Sequence, residues 1–399
     1  MVKNGTKKMT IYEQAAIMKR TDSKINILFI IMQMGMGGSE RIVHNLVLKL
    51  DRNVFNPSVA FFFGDRILKE FQDLNVPLYH VPKVKRIDLS SMKQMGRIIQ
   101  DNNIHIVNAH HFMSMVYAFY GCKIKERAKL TYTEHSEWEI ENIPWKWRIA
   151  GCYMLKRADA AIGVSSAVSN HLKNKFKIDG AKIFTIQNGV NIEALANSNE
   201  EMTLKQVLGL SNNDKVIGIV ANLKKIKNHL FLLKAFNELI KDYQNVKLLI
   251  IGQGFSDDPD NSEREIQNYV YEKSLSKNVL FLGYRSDIPK LLRIMDIFCL
   301  TSLKEGLPIS LIEAMAAGLP VIGADVEGIR DIIIPSRNGY LIKLGDVSGL
   351  RNAMHSLLKN DILRRKFAQK SQSIAKEEYS LDVCVRKYEN LFMSTMMDT

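Results

Sequence analysis

Short unbroken runs of Ile, Val, Leu and Phe alternate with amphipathic stretches along almost the whole chain. In the first half the runs fall at 27–32, 59–63, 106–109, 130–133, 160–164 and 183–186, with helical spacing at 40–50, 89–100 and 167–176. Runs that are apolar at every position, rather than at every second one, predict strands covered on both faces. Such strands alternating with helices predict a parallel, doubly wound sheet. The pattern pauses at Asn188-Gly189-Val190-Asn191 and again at a polar segment over 197–201, which reads as a linker. It restarts with runs at 216–221, 248–251, 279–282, 297–300 and 320–323. The expected architecture is therefore α/β, with two doubly wound domains facing a cleft, over 24–195 and 196–378. An extension over 1–23 precedes them. A last segment over 379–399 has helical spacing at Leu381, Val385, Tyr388, Leu391 and Phe392.

The composition, 46% hydrophobic and 24% charged over 399 residues, excludes a disordered or collagen-like chain and leaves room for two cores. Charge changes the picture more. The net charge is +13, and residues 1–195 carry 28 Lys and Arg against 17 Asp and Glu, while residues 196–399 carry 27 against 25. A surplus confined to one domain points to an anionic partner there: nucleic acid, an acidic membrane surface or a phosphorylated substrate. Its densest parts are Lys83-Val84-Lys85-Arg86, the segment 123–129, and Pro144-Trp145-Lys146-Trp147-Arg148. Cations beside two indoles suit a membrane interface; a solvated basic face with partly buried tryptophans is the plainer reading. Nucleic-acid binding finds no zinc-finger, helix-turn-helix or RNP signature in support. No apolar run nears the roughly 20 residues that span a bilayer. Residues 1–23 are polar and basic without a secretory core, and suit either a short helix over 11–18 or a loose tail. Cys122, Cys152, Cys299 and Cys384 form no C-x-x-C pair, which fits a reducing compartment, and Cys299 lies in an apolar run as a small hydrophobe.

The strongest chemical constellation is Glu305-Gly306-Leu307-Pro308-Ile309-Ser310-Leu311-Ile312-Glu313, placed after a predicted strand and opening a predicted helix. Pro308 suits a helix start, and Gly306 allows close backbone approach. The free N–H groups of the first turn make an anion site fit for a diphosphate. Glu305 and Glu313 supply carboxylate acceptors for hydroxyls at two separate places. A second basic element, Asn222-Leu223-Lys224-Lys225-Ile226-Lys227-Asn228-His229, follows the strand at 216–221 and offers cations to a diphosphate. In the first half, Thr131-Tyr132-Thr133-Glu134-His135-Ser136 and the pair His110-His111 both end predicted strands, where a parallel sheet forms its ligand crevice. Asp258-Pro259-Asp260 has a D-x-D form but sits in a polar loop away from any strand end, so no metal site is expected.

The E-x7-E pair in the second of two such domains resembles the retaining family 4 glycosyltransferases of GT-B fold, two Rossmann-like domains. The likeness extends from about Lys24 to the C-terminus. It includes Gly35-Met36-Gly37-Gly38-Ser39-Glu40-Arg41, the Asn188–Asn191 hinge, Ile250-Ile251-Gly252-Gln253-Gly254, Phe281-Leu282-Gly283-Tyr284-Arg285 and Gly318-Leu319-Pro320-Val321-Ile322. The resemblance implies that Glu313 binds the ribose and Glu305 the donor sugar. The backbone of Leu307, Pro308 and Ile309 would meet sugar and β-phosphate, with Gly283 to Arg285 lining the base pocket. Gly37 and Gly38 would approach the donor on closure, and His135 would sit beside the anomeric centre. Lys227 matches the family's lysine, whereas Asn222 stands where its arginine is commonest, leaving Lys224 as the substitute. One of His110 and His111 would line the acceptor side, and Glu134 is open between facing the site and capping the next segment. The last helix would cross back to the first domain. The implied reaction is sugar transfer from a nucleoside-diphosphate sugar, UDP ahead of GDP, to a glycan or lipid-linked acceptor for a cell-surface polysaccharide or glycolipid. It needs no cofactor beyond the co-substrate. A cytoplasmic protein held peripherally at the inner membrane face through its basic domain is expected. The alternatives are a nucleotide-sugar epimerase or hydrolase on the same scaffold, or a basic nucleic-acid-binding protein.

Overall fold

In a computed structural model of the chain, the described residues are 24–397 except 36, 86, 125–127, 137–139, 197–200 and 257. The extension 1–23 and residues 197–200 of the linker predicted over 197–201 therefore lie outside the described residues, and Glu201 opens the helix Glu201–Val207. The run at 27–32 becomes β1 (Ile25–Gln33), whose residues 27 to 31 are no more than 1% exposed. Burial on both faces is what the unbroken apolar pattern requires. Six further strands complete its sheet: β2 (Phe55–Phe63), β3 (Leu78–His80), β4 (Ile106–His110), β5 (Lys129–Glu134), β6 (Ala160–Gly163) and β7 (Ile183–Thr185). The order is β3-β2-β1-β4-β5-β6-β7, and every pairing is parallel.

The second sheet comprises β8 (Lys215–Val220), β9 (Val246–Ile251), β10 (Val279–Gly283), β11 (Ile297–Leu300), β12 (Val321–Ala324) and β13 (Gly339–Ile342). Its order is β10-β9-β8-β11-β12-β13, again all parallel. A core of Phe231, Phe236, Leu248, Ile297, Met354 and Phe367, among others, covers one face. Cys299 is fully buried in it, and burial pushes its thiol far above the usual range, as for a small hydrophobe. In each sheet the strand order reverses once, between β1 and β4 and between β8 and β11, and ligand crevices form at the carboxyl ends of strands at such points.

Two strands are absent from the sequence reading. β3 has three residues on the sheet edge, none of them buried, so no apolar run announces it. β13 begins with Gly339, where a Cβ would collide with the Val321 carbonyl, and a strand opened by glycine after a polar turn gives no signal.

Two compact units result: residues 1–186 with 384–399, and residues 187–383. The division falls earlier than the expected 195/196, because the hinge is held by the second unit. Asn188 is buried with its amide donating to the Leu307 carbonyl (3.3 Å), and Val190 exchanges backbone hydrogen bonds with Tyr379 (2.9 Å) and Leu381 (2.8 Å). The terminal helix Leu381–Met397 belongs to the first unit from Cys384 on. There Phe392 packs edge-on against Phe29 and Phe55, and the Glu389 carboxylate accepts the Asp51 N–H at 2.8 Å.

Candidate active site

In the second unit, β11 ends at Leu300 and the chain runs through Thr301-Ser302-Leu303-Lys304-Glu305-Gly306-Leu307 into the helix Ile309–Ala316. Pro308 occupies the cap position and offers no side-chain hydrogen bond to the N–H groups of the first turn. These are the groups that bind anions. The Glu305 carboxylate is held twice, by the Lys227 ammonium at 2.6 Å and the Ser302 hydroxyl at 2.6 Å. Glu305 is 10% exposed and Lys227 24%, so the pair is largely shielded from water but not sealed.

The loop after β8 is laced to the loop after β11. Thr301 Oγ1 donates to the Asn228 carbonyl at 3.1 Å, and the Leu303 N–H to the Ile226 carbonyl at 2.8 Å. Behind them lies Gly328, where a Cβ would meet the carbonyl oxygens of Glu305 and Gly306. The strands deliver Lys227, Glu305, Gly306, Leu307, Pro308 and Ile309 to one place. Glu313 lies about one turn into the same helix, partly exposed.

Lys224 and Arg285 are held differently. Lys224 pairs with Asp258 at 2.5 Å, which lowers the Asp258 carboxyl below its ordinary range. The D-x-D loop thus serves a lysine. Among the described residues no His, Cys, Asp and Glu side chains form a group able to hold a metal ion. Arg285 makes a bidentate pair with Asp287 (2.8 and 2.6 Å) two residues after Gly283, whose φ of +62° is the left-handed value that favours glycine.

In the first unit, the ends of β4 and β5 carry a histidine cluster. His110 Nδ1 and His135 Nε2 are 2.8 Å apart, with the rings stacked at 5.0 Å, and His111 tilts against His135 at 4.9 Å. His111 has φ +68°, a strained conformation for a non-glycine residue and one that concentrates at functional sites. Burial lowers the His110 pKa to about 3, and that of His135 lies well below its usual value for the same reason, with His111 and His110 adding to it. Both rings are neutral near pH 7.

Glu134, open in the sequence, is a cap. It is fully buried, one oxygen accepts the N–H groups of His135 (2.8 Å) and Ser136 (3.2 Å), and the other accepts the Tyr132 hydroxyl. His110 is also fully buried, behind His135, whereas His111 lines a cavity of about 480 Å³. Phe63, Met113, Ile143 and Trp147 form apolar walls of that cavity, and Gly37, Ser39 and Glu40 bring the loop after β1 to it. A Cβ on Gly37 would strike the Glu40 carboxylate, and Gly38 opens the helix Gly38–Lys49. Met36 of this motif lies outside the described residues.

Residues 36–194 match the family model for Glycosyltransferase Family 4, and residues 200–374 that for Glycosyl transferases group 1, so the two matches follow one another along most of the chain. The chain belongs to the family 4 glycosyltransferases. It is 26% identical over 338 residues to the N-acetyl-alpha-D-glucosaminyl L-malate synthase of Bacillus anthracis, covering 82% of this chain and 84% of that one. It is 25% identical over 361 residues to the UDP-Gal:alpha-D-GlcNAc-diphosphoundecaprenol alpha-1,3-galactosyltransferase of Escherichia coli, covering 87% and 91%. The fold matches the crystal structure of Anabaena HepE in complex with UDP-glucose at a TM-score of 0.83 and 20% identity, over 93% of this chain and all of the other. This is the GT-B fold, with two Rossmann-like domains.

For this glycosyltransferase, several side chains around the site escape a reading of motifs. Asn108 is a fully buried amide within β4, and its one trace in the sequence is a polar residue interrupting an apolar run. Ser302, Thr301 and Gly328 act through loop geometry and leave no spacing pattern. Trp147, read from sequence as part of an interfacial segment, also forms a wall of the cavity beside His111.

Proposed function

We propose that this glycosyltransferase moves a sugar from a nucleoside-diphosphate sugar, UDP ahead of GDP, to a lipid-linked glycan acceptor at an anionic membrane surface, with retention of configuration. It would serve in cell-surface polysaccharide or glycolipid assembly. The observation that carries the reading is the Glu305–Lys227 pair beside an uncapped helix turn at the strand-order reversal of the second sheet. Glu305 binds hydroxyls of the donor sugar, and Glu313 those of the ribose. The backbone of Gly306, Leu307, Pro308 and Ile309 receives the diphosphate, and Lys227 offsets the charge that grows on it. Lys224, the stand-in for an arginine, reaches the phosphates by leaving Asp258. Gly283 to Arg285 border the base, and Gly37 and Gly38 approach the donor.

The acceptor hydroxyl attacks the anomeric carbon as the bond to the β-phosphate oxygen breaks. Its proton passes to that phosphate, on the same face. Glu134 is not available as a covalent nucleophile, since both of its oxygens are engaged in its own loop and strand. The names of two relatives support the donor and acceptor classes: the Escherichia coli enzyme is named for UDP-Gal and a diphosphoundecaprenol-linked sugar, and the Anabaena structure contains UDP-glucose.

Membrane docking is supported by the helix Trp145–Arg157. Trp145 and Ile149 (63% exposed each) and Tyr153 (50%) recur every fourth residue on one stripe. Lys146, Arg148, Lys156 and Arg157 are exposed beside it, and the Arg157 guanidinium lies 3.7 Å above the Tyr153 ring. Lys83 stands over Phe63, a wall of the cavity to which Trp147 also belongs, so two of the three densest basic stretches of the sequence border one apolar pocket. No helix among the described residues is long and apolar enough to cross a membrane.

Thermal-shift titration with UDP- and GDP-sugars, then transfer from the stabilising donor to a short polyprenyl-diphosphate glycan in anionic or neutral vesicles, tests the reading. Stabilisation by a nucleotide sugar and transfer enhanced by anionic vesicles are expected. Transfer to a soluble acceptor alone overturns the lipid assignment, and no stabilisation by any nucleotide sugar overturns the donor assignment.

A further inference from the structure

We propose that Asn108 and His110 are positioning residues that fix the tautomer of His135, leaving its Nδ1 as a bare acceptor for a substrate hydroxyl. The proposal rests on the function proposed above together with the place that the family resemblance implies for His135, beside the anomeric centre of the donor sugar. Its basis is a hydrogen-bond chain whose polarity is set at its far end. Thr131 Oγ1 donates its single proton to the Val107 carbonyl at 3.2 Å, so toward Asn108 it can only accept. The Asn108 amide nitrogen, with two protons, faces the hydroxyls of Thr131 (2.9 Å) and Thr133 (3.1 Å). Its carbonyl oxygen therefore faces His110 Nε2 at 2.7 Å, and that nitrogen must carry a proton.

His110 is fully buried with no carboxylate against it, and burial keeps it neutral. A neutral ring protonated at Nε2 has a lone pair at Nδ1, so the proton in the 2.8 Å contact comes from His135 Nε2. A neutral His135 protonated there has its own lone pair at Nδ1. That nitrogen is buried and has no hydrogen-bond partner among the described residues. An unmet buried acceptor is costly, and a buried polar group left unpaired in a native fold calls for an explanation such as a ligand or a catalytic role. A hydroxyl donated by the sugar meets the need. The opposite tautomer would present an N–H instead, and a protonated ring would place a positive charge beside a carbon that gains positive charge as the glycosidic bond breaks.

The test reads the tautomer before any turnover. Long-range nitrogen–proton correlation spectra of the labelled full-length protein, with His135 assigned by His135→Gln, should show Nε2 protonated and Nδ1 bare. A proton on Nδ1 overturns the proposal. In His110→Phe the relay is gone, whereas His110→Gln keeps one amide oxygen to accept from His135 and one amide nitrogen to donate to Asn108. Hydrolysis of UDP-glucose without acceptor should then fall about tenfold in kcat at unchanged KM for His110→Phe. His110→Gln should recover both the rate and the His135 spectrum. Equal rates in wild type and His110→Phe, or a His110→Gln variant as slow as His110→Phe with the wild-type tautomer intact, also overturn it. If wild type hydrolyses no UDP-glucose, the nucleotide sugar that stabilises the protein takes its place in the assay; failure of all UDP- and GDP-sugars overturns the donor assignment, and the spectra still decide the relay.

Discussion

The two candidate loci handle polarity in opposite ways. In the second unit, Glu305 and Lys227 form an ion pair at 2.6 Å on loops that keep contact with water. In the first unit, His110, Asn108, Thr131 and Thr133 are fully buried and neutral, joined by hydrogen bonds from strand to strand. The roles proposed for the two loci account for the difference. A diphosphate brings charge, and a charged, partly hydrated carboxylate–ammonium pair can be reorganised around it without stranding a buried ion. A sugar carbon that becomes cationic is better faced by a neutral lone pair whose direction is fixed beforehand. On the proposed roles, charge is placed where the ligand is charged, and direction where the transition state is.

Removing Glu305 should break the comparison most deeply. Glu305→Ala takes away the carboxylate proposed to face the sugar and leaves Lys227 without its partner, so a loss of about 10²–10³ in kcat is expected from steady-state transfer assays. Glu313→Ala, about one turn into the helix that follows, should act mainly on nucleotide affinity measured by calorimetry. A Glu305→Ala enzyme within twofold of wild type would remove the second-unit site from the mechanism.

Gly328→Ala sharpens the same side with a smaller effect. A Cβ there meets the backbone oxygens of Glu305 and Gly306, which cannot rotate away as a side chain would. The loop must shift, and a displacement on the order of 1 Å can cost up to about a hundredfold in rate. Kinetics of Gly328→Ala should show a fall of about ten- to a hundredfold while circular dichroism and cooperative melting are retained. An unchanged rate would show that the loop position tolerates the methyl group.

The second locus was far more legible in the sequence than the first, for a physical reason. Glu305 to Glu313 is one contiguous strand–turn–helix, so the glycine, the proline and both carboxylates appear in a single short stretch. Lys227 comes from another loop but sits at a recognisable offset from its strand. The relay in the first unit is assembled by parallel pairing, which sets Asn108 beside Thr131 and His110 beside Thr133. No spacing within the chain predicts that register. The strands themselves were visible because both of their faces are covered. Edge strand β3, with none of its three residues buried, was not.

The smallest effect expected is on stability against pH, and it has the same sign in both units. His110 has an ordinary pKa of 6.5 that burial lowers to about 3, so between these values the unfolded chain binds more protons than the folded one. Stability from the neutral ring is complete above about 6.5 and is lost as pH falls toward about 3; His135 acts in the same direction. His229 in the second unit, buried and lowered to about 4, adds to the same slope. The melting midpoint of the wild-type protein should therefore fall on acidification through this window. His110→Gln, which has nothing to protonate there, should flatten the fall, and His229→Gln should flatten it separately, the two effects adding because the residues belong to different compact units. A slope unchanged in His110→Gln would mean that the fold does not lower the His110 pKa and that the ring is protonated within this acidic window. Its Nδ1 would then carry a proton, and the direction of the hydrogen bond to His135 would reverse.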